Sequence, residues 1–173
     1  MPEEETRIYR PNRDKPASKA AKAAVTFLLL VSAGLVAIVT IGGWSVQQGA
    51  QIVSIGYVIV YCVMAYFVAK WNRGVLPLSA ALAILLGVVA AIAVPGWFAR
   101  DKTGYASAAL PAGLLGLLTL MIIPIQLLLI AFAMRAFSQE WNIEIEMTEE
   151  EYQQRYGGRG SGGPRGYEPQ PQA

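Results

Sequence analysis

The chain has 173 residues, 54% of them hydrophobic, with 14 Lys and Arg against 12 Asp and Glu, one cysteine and no histidine. The lack of histidine excludes bis-histidine haem, histidine-ligated zinc or copper, and an imidazole proton shuttle near neutral pH; the lone Cys62 excludes an internal disulfide and reads as a small hydrophobe. A net charge of +2 says little by itself, so the information lies in where charged and apolar residues fall.

Residues 1–22 carry Glu3, Glu4, Glu5, Asp14 and three prolines, too long and too acidic for the leading region of a cleavable signal. They read as a retained segment, irregular up to Pro16, with Ala17 onward available to extend a following helix. Its cations, Arg7 to Lys22, suit anionic lipid headgroups at about 1 kcal/mol per residue near the surface. They are equally placed to meet the acidic cluster Glu149 to Glu151.

Four apolar runs without Asp, Glu, Lys or Arg follow, at about 23–43, 52–69, 75–98 and 109–133. As helices they are roughly 27 to 37 Å long, enough to cross a hydrocarbon core of about 30 Å with modest tilt. Their continuous apolar character, without period-two alternation, excludes a transmembrane β-barrel. Every tryptophan of the chain, Trp44, Trp71, Trp97 and Trp141, stands near the end of a run, the position of interfacial anchors.

Pro77 and Pro111 fall in opening turns, and Pro95 with Gly96 is expected to close the third helix. Pro124 lies deep in the fourth run, where it removes a backbone donor and predicts a kink. The third run repeats small residues at Ser79, Ala83, Gly87 and Ala91, a stripe along which another helix can approach closely, inside the chain or from a partner. Gln126 is the most polar side chain at membrane depth and needs a partner. Ser54, Tyr57 and Tyr61 share one face of the second run, at a depth that makes a Tyr61–Gln126 hydrogen bond plausible.

After the fourth run, residues 138–156 form a polar extension. Trp141 to Met147 alternates like an extended strand, and Thr148-Glu149-Glu150-Glu151 has capping-box spacing for a short helix through Arg155 or Tyr156. The Gly/Pro/Arg tail, 157–173, cannot bury a core and reads as disordered. Two Arg-Gly dipeptides do not make a nucleic-acid tail, and no nucleic-acid partner is expected.

Twelve of the 14 cations fall on one side of the four runs, with Arg100 and Lys102 alone on the other. The bias predicts both termini in the cytoplasm, and the short connections predict an up-down antiparallel bundle of four helices: an all-α, multi-pass protein of the cell membrane. Proteolysis, phosphoryl transfer or metal hydrolysis at depth needs paired carboxylates, an activated nucleophile or metal ligands, which these runs lack; neither an enzyme nor a cofactor is expected. The functional reading is a non-catalytic accessory or scaffold subunit packed against a larger membrane complex or, as a homo-oligomer, against copies of itself. The alternative is a small oligomeric transporter or channel with a polar path near Pro124 and Gln126.

Overall fold

The structure, a computed structural model, describes residues 7–100, 102 and 104–156. The expected disordered tail, 157–173, lies outside them, as do Asp101 and Thr103. The protein is mostly helical, in the order β1 (Arg7–Tyr9), α1 (Pro11–Asp14), α2 (Pro16–Gly42), a 3₁₀ turn (Trp44–Val46), α3 (Ala50–Ala69), α4 (Val75–Ala99), α5 (Ala112–Phe137), β2 (Ile145–Met147) and α6 (Glu149–Tyr156). The four long helices, α2 to α5, are long and apolar enough to cross a membrane, which makes the chain a multi-pass membrane protein.

The residues form two units: Asn12 to Trp141, which holds the long helices, and a terminal unit in which residues up to Pro11 join those from Asn142. In the helical unit, α2 packs against α3 and α5, and α5 packs against α4, while α3 and α4 touch only sparingly. The order in space is therefore α3, α2, α5, α4. A main core runs through Val25, Leu29, Tyr61, Leu76, Ala83 and Leu129. A smaller one joins Val39, Val46, Trp97 and Leu115.

Three of the four long helices have their final carbonyl taken by a donor from elsewhere in the unit. Gly42 O accepts from the Leu110 N–H (3.1 Å), Ala69 O from Lys22 Nζ (3.4 Å) and Phe137 O from Arg73 Nε (2.8 Å). The last-turn carbonyls of a helix have no partner within it, and a cation there also opposes the negative end of the helix dipole. Lys22, in the opening turns of α2, and Arg73, between α3 and α4, thus serve as helix caps.

Several boundaries differ from the sequence reading. The first long helix starts at Pro16, ahead of the apolar run at Ala23 and one residue before the extension expected from Ala17, because Pro16 at the first helical position has the right φ and loses no needed N–H. The last ends at Phe137 rather than Ala133. Pro95 does not close α4, which continues to Ala99. Proline disfavours that turn locally, but Trp97, inside it, is buried against Gly43, and tertiary packing outweighs the local cost. A β-carbon on Gly43 would lie 2.5 Å from Trp97 Cη2 and 3.0 Å from the Val39 carbonyl oxygen. Gly43→Ala is therefore expected to destabilise the protein by about 1–3 kcal/mol, seen as a lower unfolding midpoint in detergent. Gly56→Ala in α3, where a β-carbon meets nothing within 4 Å, is the control and should be neutral or mildly stabilising.

In the terminal unit, the segment expected to be irregular contains β1, and the protein is not purely α. β1 pairs antiparallel with β2 in the register Arg7 to Met147, Ile8 to Glu146 and Tyr9 to Ile145. A strand whose partner lies at the other end of the chain leaves no local signal. Tyr9 stacks on Tyr152 with ring centroids 4.1 Å apart, and the Arg10 guanidinium pairs with the Glu144 carboxylate, its Nε at 2.9 Å. Thr148 and Glu151 form a reciprocal capping box: the Thr148 N–H donates to Glu151 Oε2 (3.2 Å) and the Glu151 N–H to Thr148 Oγ1 (3.3 Å).

Candidate functional site

Two clusters gather the chemically distinctive side chains of the helical unit. The first is a polar junction inside the bundle. Gln126, on the buried face of α5, is 1% exposed; Tyr61 of α3 and Ser32 of α2 are fully buried. Tyr61 Oη donates to Gln126 Oε1 (3.0 Å), Gln126 Nε2 donates to Ser32 Oγ (2.9 Å), and Ser32 Oγ donates to the Leu28 carbonyl one turn back (2.7 Å). The orientation of the amide follows from this chain. The serine proton is committed to Leu28, so Ser32 can only accept from Gln126, and the amide nitrogen must face it. α4 completes the junction with Gly87: a β-carbon there would lie 3.7 Å from Gln126 Cβ, so α4 passes directly over the glutamine stem. All four long helices meet at one side chain.

The neighbours of this junction are distributed unevenly. Tyr57 is half-buried and touches Tyr61 edge-on at 5.7 Å, and Ser54, one turn further along, is half-buried too. Pro124 is exposed and lies on the opposite side of α5, which runs unbroken through it, from the buried Gln126. Ser79 and Ala83 are buried inside the chain, Gly87 is half-buried and Ala91 is exposed. The small-residue stripe thus serves internal packing at its start and emerges at its end. Ser32 was not paired with Gln126 from sequence. Its signal is faint: a lone serine in an apolar run whose rotation about its axis periodicity does not fix relative to α5.

The second cluster lies at the end of the unit where α3 and α5 terminate. The Trp71 and Trp141 rings meet edge-on with centroids 5.2 Å apart, and Lys22 Nζ sits 4.1 Å over the Trp71 ring. Trp71 occupies the left-handed position of a Schellman turn, with φ +64°. Its N–H donates to Val68 O (2.9 Å) and the Asn72 N–H to Phe67 O (3.0 Å). Glycine is the usual residue there; a side chain costs about 1 kcal/mol or more, offset here by the ring contacts. The turn after α5 is held from the other end of the unit: Asn12 Nδ2 donates to Glu140 O (3.0 Å) and Arg13 Nε to Trp141 O (3.0 Å).

These contacts alter two expectations. Trp141 is fully buried and Trp97 is 8% exposed, so neither indole faces lipid. Both fill interior gaps at a helix end, because position near the end of a span does not determine which way a ring turns. Trp44 is 52% exposed and Trp71 half-buried, as interfacial anchors can be. Among the N-terminal cations, Arg10, Arg13, Lys15, Lys19 and Lys22 all contact protein groups, including Lys15 Nζ on Asn12 Oδ1 (2.6 Å) and Lys19 near Asp14 (4.0 Å). The partner of Arg10 is Glu144.

No protein-family model, curated protein or solved structure matches the chain.

Proposed function

We propose that the protein is a non-catalytic accessory or scaffold subunit of a larger membrane assembly, with four antiparallel spans and both termini in the cytoplasm. The observation that carries the reading is the closed hydrogen-bond chain from Tyr61 through Gln126 and Ser32 to the Leu28 carbonyl. Its groups consume one another's hydrogen bonds, and none is a carboxylate or an amine, the usual means of coupling transport to an ion. It acts as a pin between helices. Antiparallel topology is supported by the start of α2 capping the end of α3 and the start of α5 capping the end of α2. Pairing of β1 with β2 supports a shared side for the two chain ends, and the cation bias supports the cytoplasm as that side.

The test is native mass spectrometry after extraction in mild detergent at native expression. The expected result is a particle in which this 18.7 kDa chain accompanies at least one other polypeptide in fixed ratio. A particle containing only this chain and lipid overturns the reading.

A further inference from the structure

Apart from the two clusters described above, the helical unit holds an open recess of about 390 Å³ in the connection from α4 to α5. Arg100, Lys102, Tyr105, Ser107, Leu110 and Ala112 line it, and alanine and proline complete the wall. The connection is tied to the end of α2 and to the turn that follows it. The Leu110 N–H donates to Gly42 O (3.1 Å), and Ser45 Oγ donates to Ser107 O (3.3 Å). The recess therefore sits where α2 and α4 end and α5 begins, the level at which a spanning helix meets headgroups.

The charge lining this recess is of one sign. Arg100 is half-buried; its Nη2 donates to Val46 O (3.2 Å), and the guanidinium carbon lies 5.9 Å from the Trp97 ring centroid. These contacts fix one flank of the guanidinium and leave its other N–H donors for a further acceptor. Lys102 is exposed and makes no hydrogen bond or ion pair among the described residues. Neither cation has a carboxylate partner there, and no described carboxylate lines the recess. A half-buried guanidinium that shares a recess with an ammonium and has no counter-charge is costly. Ala112 adds to the same field, because it opens the 26-residue α5, whose start has no side-chain cap. The first bond of that helix is from the Leu115 N–H to Pro111 O (3.1 Å). An anion balances all three groups. The tetrahedral oxygens of a phosphate accept donors arriving from several directions, which the planar oxygens of a carboxylate do less well.

We infer that this recess binds a phosphate group, carried either by an anionic phospholipid headgroup or by a soluble phosphate ester. The test is calorimetric titration of the full chain in an uncharged detergent with short-chain phosphatidylglycerol and, separately, with glycerol 3-phosphate. The expected result is a single saturable site, weakened about tenfold or more by Arg100→Gln and about threefold by Lys102→Gln. Arg135→Gln, which neutralises an exposed cation in the last turn of α5, should leave the affinity unchanged. Arg100→Gln also loses the bond to Val46 O, so Lys102→Gln, which removes no contact within the described residues, decides the outcome if the arginine variant does not fold; its unfolding midpoint should equal the parent's. Tighter binding of the lipid assigns a headgroup, and equal or tighter binding of glycerol 3-phosphate a soluble ester; either upholds the site. Absence of saturable binding by both ligands overturns the inference. So does an affinity that Lys102→Gln leaves unchanged, or one that Arg135→Gln lowers as much.

Discussion

Gln126→Leu is expected to lower the free energy of unfolding in detergent by about 1–3 kcal/mol, although leucine has nearly the volume of glutamine. Ser32 keeps its bond to the Leu28 carbonyl, so the loss falls on Tyr61, whose buried hydroxyl is left without an acceptor. Adding Tyr61→Phe removes that stranded donor, and the double variant should return to within about 1 kcal/mol of the parent. Equilibrium unfolding of the parent, both singles and the double closes the cycle. If Gln126→Leu is neutral alone, the junction is not an energetic link between helices.

The largest single effect is expected at Trp141. Its ring is fully buried, meets Trp71 edge-on and donates through Nε1 to Gln139 Oε1 (3.1 Å). Trp141→Ala should cost about 3–5 kcal/mol, measured by the same unfolding assay. Trp71 gives a more discriminating comparison, because ring and backbone pull in opposite directions there. Trp71→Gly and Trp71→Ala both lose the contacts with Trp141 and Lys22, but only glycine relieves the left-handed φ of +64°. The glycine variant should therefore be the more stable of the two, by about 1 kcal/mol. The opposite order would show that the turn imposes no strain.

What was legible in the sequence is what depends on one helix at a time. An apolar run of twenty or more residues reports a span regardless of its neighbours, and the spacing of Tyr57 and Tyr61 reports a shared face. What was illegible depends on how one helix is rotated against another. The small-residue spacing from Ser79 to Ala91 looks uniform, yet the structure buries its start and exposes its end, because a four-residue step drifts round a 3.6-residue helix and carries Ala91 off the face on which Ala90 stays buried. Ser32 faces Gln126 through the rotation of α2 against α5, which no periodicity fixes. Pro95 reads as a terminator locally but is carried through by the burial of Trp97 over Gly43. Tryptophan near a span end identifies the level of the ring but not its direction, which is why Trp97 and Trp141 turn inward.

The two-stranded pairing of Arg7–Tyr9 with Ile145–Met147 also sets an order of events during synthesis. The first strand emerges from the ribosome before any span, and its partner follows only after the fourth has been made. At about 5–20 residues per second, β1 waits for seconds to tens of seconds with its edge unpaired. The join thus becomes available only after the fourth span, and a polypeptide released early, with every span complete but Met147 unmade, carries an open strand edge where the finished protein has a seam.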